Sequence, residues 1–173
     1  MIEQIRTFLA NNPIENIETF FDNENIIWVD WREYDEDIVN YVNDELSEAD
    51  QIEWETIPSE KEGALDTVIL KKNEKEAIIP YDEDKWDRDT TLKSIGKFID
   101  DKYKLCWFKP SLGGDTLSFV VIENEDWEKL STEFGEEKLK FYFSPVTEEN
   151  AMFNLSMDQV FSLIESREKN NPN

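Results

Sequence analysis

A chain of 173 residues with 41 acidic against 18 basic side chains, a formal charge of −23, argues against nucleic-acid backbones and anionic membrane surfaces as partners, since both would be repelled. No histidine is present and Cys106 is the only cysteine, which removes Ser-His-Asp and Cys-His catalysis, histidine metal sites, CxxC redox pairs and any internal disulfide. No run approaches the roughly 18 apolar residues of a membrane span, and the first six residues, Met1 to Arg6, lack the basic-then-apolar pattern of a signal peptide, so a soluble cytoplasmic protein is expected.

The apolar share of 39% and aromatic share of 13% supply one full core without staples. Adaptation to high salt is a poor account of the charge, because Lys is used freely. One α+β domain over residues 1–168 is expected, monomeric or weakly dimeric, with a fraying tail at 169–173. Residues 1–24 could stand as a helical appendage.

In chain order, Ile2, Ile5 and Leu9 fall on one helical face, and Asn12-Pro13 can open a second helix with Ile14, Ile17 and Phe21 inward. Residues 26–31 read as a strand. A helix follows from about Asp35 with Ile38, Val42 and Leu46 inward, then an alternating, half-exposed strand at 52–57. Residues 65–70 and 76–79 form a hairpin about Lys71 to Lys75, followed by a helix with Leu92, Ile95, Ile99 and Tyr103 on one face. Residues 104–109 and 116–122 form a second strand pair.

Asn124 is placed to cap a helix bearing Trp127, Leu130 and Phe134, which Gly135 ends. Residues 139–143 read as a last strand. Ser156-Met157-Asp158-Gln159 matches a capping box for a final helix with Val160, Phe161 and Ile164 inward. Short β-β links imply a mostly antiparallel sheet with helices on one face, built from two β-β-α units.

Cys106, between Leu105 and Trp107 in a strand, is expected to be an inert core thiol. The acidic run from Asp82 to Asp89 offers Asp82, Asp84, Asp87 and Asp89 as carboxylates for a Ca²⁺ ion. It is not an EF-hand loop, since Asp87 stands where Gly is needed and Lys93 where Glu is needed, so no metal and no cofactor are assigned. Gly113-Gly114 lies between two strands, which suits a turn and not a phosphate cradle. Paired carboxylates can cleave glycosides, but among 41 acids no motif selects a pair, so no enzyme is expected.

Charge is concentrated early: residues 1–50 carry fourteen acids and two bases, Arg6 and Arg32. Aromatics sit among the acids in Asp30-Trp31-Arg32-Glu33-Tyr34-Asp35-Glu36-Asp37, and Asp44, Glu45, Glu48, Asp50 and Glu53 continue the run. Such a patch can steer a basic protein partner in, with Trp31 and Tyr34 as contact area, although charge runs are also ordinary solvated helix faces.

In size, acidity, lack of catalytic residues and mixed antiparallel layout, the chain resembles the small acidic immunity proteins that bacteria make against polymorphic or contact-dependent toxins, and Lys109-Pro110-Ser111-Leu112-Gly113-Gly114-Asp115-Thr116 resembles the connecting loop of many bacterial α+β domains. The resemblance implies an inhibitor covering the active site of a basic toxin domain, often a nuclease, with carboxylates where the toxin expects phosphates. A mimic of nucleic-acid charge, a Ca²⁺ module and an accessory domain without chemistry are the alternatives.

Overall fold

The computed structural model describes residues 1–82 and 85–170. Its centre is the strand pair β5 (Tyr103–Phe108) and β6 (Thr116–Glu123), whose residues are buried almost without interruption. β1 (Ile27–Asp30) pairs with β6, and β7 (Phe143–Pro145) pairs with β5, so an antiparallel sheet runs β1-β6-β5-β7. A second antiparallel sheet runs β2 (Glu53–Ile57), β3 (Thr67–Lys72), β4 (Lys75–Ile78). Its β3–β4 hairpin turns through Asn73 at φ 53, a left-handed position that Asn tolerates.

The α+β class and the antiparallel pairing agree with the sequence, but the helices lie on both faces of the larger sheet and not on one. On one face Val29, Leu105, Trp107, Phe119 and Val121 pack with α3 (Asp35–Asp44), α4 (Arg88–Phe98) and Val68 and Leu70 of β3. On the other, Cys106, Phe108, Val120 and Ile122 pack with α1 (Ile2–Ala10), α2 (Ile17–Phe21), α5 (Asn124–Phe134) and α6 (Glu136–Tyr142). Successive strand residues point to opposite faces, so a sheet covered on both sides demands contiguous apolar runs, which β5 supplies in Leu105 to Phe108 and β6 in Phe119 to Ile122. Cys106 is fully buried there, and burial pushes its thiol well above the usual range.

Three local expectations are corrected. Residues 139–142 are helical: Leu139 and Tyr142, one turn apart, both reach the core, Glu136 pairs with Lys140 at 2.6 Å, and only Phe143 begins the strand. Pro13–Asn16 forms a 3-10 turn ahead of α2, which buries Phe20 and leaves Ile14 48% exposed. Asn124 is the first residue of α5 and not its cap. Its side chain donates to the Asp100 carbonyl at 2.9 Å.

The capping box forms as read. Ser156 and Gln159 bond reciprocally at the start of α7 (Met157–Lys169). That helix nonetheless buries no residue, and Phe161, expected inward, is 57% exposed. Of the tail expected to fray, Lys169 ends α7, Asn170 follows it, and residues 171–173 lie outside the described residues. No helix among the described residues is long and apolar enough to cross a membrane.

Candidate partner-binding site

The acidic run 30–37 forms the turn between β1 and α3. Asp30 shapes it: its carboxylate accepts the Arg32 amide at 2.7 Å and its carbonyl accepts the Glu33 amide at 3.0 Å. Arg32 lies over the Trp31 ring, 5.1 Å from its centroid. Asp35, Glu36 and Asp37 then open α3, where negative charge complements the helix dipole.

Arg88, the first residue of α4, pins this turn from below. Its guanidinium donates to the Glu33 carbonyl and stands 3.5 Å from Asp35 Oδ2. Asp35 is buried, and burial outweighs Arg88 in setting its carboxyl above the usual range. Asp35 Oδ1 and Arg88 Nε have no hydrogen-bond partner among the described residues. Above them lies a cleft of about 570 Å³, walled by Tyr34, Trp54, Thr56 and Trp86 and edged by Glu36 and Asp37. Trp54 and Trp86 stack with centroids 6.3 Å apart, Tyr81 packs on Trp86 at 4.8 Å, and Trp54 Nε1 donates to Thr56 Oγ1 at 3.0 Å.

Trp31 and Tyr34 are 58% and 78% exposed, so the two aromatics expected among the acids do face outward. The cleft adds Trp54, Trp86 and Arg88. Their positions in sequence give no hint of this, beyond Trp86 standing inside an acidic run.

The rest of the predicted patch lies elsewhere. Asp44 is nine residues along α3 from Asp35, about 13 Å at 1.5 Å per residue. Asp44, Glu48 and Glu53 are exposed, and the half-buried Glu45 accepts from Asn25 Nδ2 at 3.3 Å, with burial raising its carboxyl. Asp50 is a structural anchor. Its carboxylate accepts from Lys72 and Lys102, both at 2.7 Å, from Tyr103 at 2.8 Å and from Ser47 at 2.6 Å, joining β3 and β5 to the 3-10 turn ahead of β2.

These donors hold Asp50 well below the ordinary carboxylate range, Lys102 foremost. Its stabilisation is therefore present above the ordinary value of 3.8 and is lost as pH falls from there toward the folded-state value. Asp50→Asn is expected to cost about 1–3 kcal/mol at neutral pH, and urea unfolding at a series of pH values should show that deficit shrinking below about 3.8.

Of the carboxylates weighed for Ca²⁺, Asp87 caps α4 by accepting from the Thr90 amide at 3.1 Å and also accepts Asn154 Nδ2 at 2.7 Å. Asp89 is buried and accepts three backbone amides. Asp82 is exposed, its backbone carbonyl accepting the Lys85 amide at 3.2 Å, and Asp84 lies outside the described residues.

No family model, curated protein or solved structure matches this chain. Its own geometry is therefore the basis for a functional reading.

Proposed function

We propose that this chain is a protein-binding inhibitor, acting as an immunity protein that covers the active site of a basic toxin such as a nuclease. The observation that carries the reading is the exposure of Trp31 and Tyr34 on a turn of acids that Arg88 holds in place. Large exposed aromatics dominate binding energy at interfaces, and a pinned turn loses little further freedom on association. Surrounding carboxylates steer a cationic surface inward, and the aromatic cleft beside them is shaped to take an Arg or Lys side chain against ring faces. Inhibition, with no catalytic role, fits a chain without histidine or an accessible thiol.

The test is capture from the native host at low salt, followed by reconstitution with the recovered protein and association kinetics. Glu36→Lys with Asp37→Lys is expected to slow association about tenfold at low salt and much less at high salt. Asp35 and Glu33 are left intact because Arg88 holds them. A recovered basic toxin whose activity is blocked by the wild-type chain supports the reading. Absence of any stoichiometric basic partner, or unchanged association in the double variant, removes it. Competition with DNA for several unrelated basic proteins would instead indicate a general charge mimic.

A further inference from the structure

In a chain with more than twice as many acids as bases, a partly buried base without an acid needs a cause, and two such bases stand together. Lys109 begins the 3-10 turn after β5, and Arg167 lies in the last turn of α7. Both line one cleft of about 620 Å³ between α7 and the β5–β6 connection, within the range of small-molecule sites. It shares no residue with the acidic cleft. Arg167 donates to the Phe141 carbonyl at 2.5 Å and lies 4.4 Å over the Phe141 ring. The Lys109 carbonyl accepts the Leu112 amide at 3.0 Å, but its ammonium has no hydrogen-bond or ion-pair partner among the described residues, and Arg167 pairs with no carboxylate there.

This arrangement is costly as it stands. Two bases are partly withdrawn from water and repel each other, with no carboxylate paired to either among the described residues. Burial, with Arg167 beside it, lowers the Lys109 ammonium from its ordinary value, and burial brings Arg167 down to about 10, so Arg167 remains charged near neutrality. Trp107, Leu112, Leu155 and Leu163 give the cleft apolar walls, and Gln159 and Ser162 add neutral polar groups. The cleft also has two acids, the exposed Glu149 and Asp158, the latter nine residues before Arg167 on α7 and about 13 Å away along the axis. Neither acid pairs with Lys109 or Arg167 among the described residues, so an anionic head belongs beside these two bases, away from Asp158.

We propose that this cleft binds a small organic carboxylate with an apolar body, its head held between Lys109 and Arg167 and its body lying along Leu155 and Leu163. Arg167 brings a planar fork suited to a carboxylate, and Lys109 adds a point charge. An anion there would neutralise both cations.

The test uses the full chain with three probes of equal length: octanoate, octanol and octylamine. Calorimetry is expected to show one octanoate site, with amide NMR shifts centred on Lys109, Leu112 and Leu163. Lys109→Met and Arg167→Met are each expected to weaken octanoate about tenfold or more and to leave octanol unchanged. Lys109→Met removes an unpaired, desolvated charge, so its unfolding temperature is expected to hold or rise. Arg167→Lys keeps a cation if Arg167→Met loses its fold, and it too is expected to bind octanoate more weakly. Octanol or octylamine binding as tightly as octanoate, octanoate unaffected by the variants, or no octanoate binding at all would overturn the proposal.

Discussion

Asp89→Ala is expected to cost about 3–5 kcal/mol of unfolding free energy, since each buried amide left without its acceptor costs about 1–3 kcal/mol. Asp89 is 1% exposed in the first turn of α4. Its carboxylate accepts the amides of Met152 at 2.9 Å, Phe153 at 2.8 Å and Asn154 at 3.4 Å. Three amides converge on one anion, and they clamp the segment ahead of α7 to the start of α4. Alanine leaves the Met152 amide, on a residue 3% exposed, with nothing to donate to.

Asp89→Asn is expected to recover only part of the loss, because one oxygen becomes a donor facing N–H groups. Urea unfolding measures the cost, and hydrogen exchange at Met152, Phe153 and Asn154 locates it. Full stability in Asp89→Ala would mean that these amides are satisfied elsewhere and that the clamp is idle. Because Asp87 and Asp89 are committed to hydrogen bonds, adding Ca²⁺ is expected to leave the wild-type unfolding temperature unchanged. A rise would reopen the acidic run as a metal site.

The parts of the fold that were legible in the sequence are those set by local chemistry. Ser156 and Gln159 form their reciprocal cap because both partners lie within one turn. Ile38 and Val42 face inward as their spacing requires, and the hairpin forms where expected, although Lys72 pairs with Lys75 and shortens the five-residue connector of 71–75 to two residues. Residues 139–143 misled because aromatic residues suit strands and helices alike, so a restart at Gly135 and the pairing of Glu136 with Lys140 settled a tie that periodicity could not. Covering of both sheet faces had a signal in the unbroken apolar run of Phe119 to Ile122, where a half-solvated strand would alternate.

The candidate site divides in the same way. The acids and aromatics of 30–37 are contiguous, and so could be read. Trp54, Trp86 and Arg88 reach the cleft from β2 and from the start of α4, and only tertiary packing joins them. Asp50 looked like its exposed neighbours, yet its four donors come from as far along the chain as Tyr103.

Phe8→Ala bears on whether residues 1–24 are an appendage at all, and about 3–5 kcal/mol is the expected cost. Phe8 is 3% exposed and sits amid four rings: Phe20 at 4.9 Å, Tyr142 at 5.2 Å, Phe108 at 5.4 Å and Phe143 at 5.8 Å. Phe20 in turn packs on Phe108 at 4.7 Å and on Phe143 at 5.4 Å. Two rings from the first two helices thus cover two strands of the central sheet, and edge-on contacts add to plain burial. A true appendage would unfold by itself, leaving the main transition untouched when Phe8 is cut back. Packing of this kind instead makes one cooperative unit, so Phe8→Ala is expected to shift the whole denaturation curve with coincident near-UV and far-UV transitions. Removing residues 1–24 altogether is expected to expose Phe108, Val120 and Phe143 and to produce strong binding of an apolar dye with loss of near-UV signal. A truncated chain that kept its cooperative transition would show that α5 and α6 cover the sheet unaided and that the N-terminal helices are an addition to a complete domain.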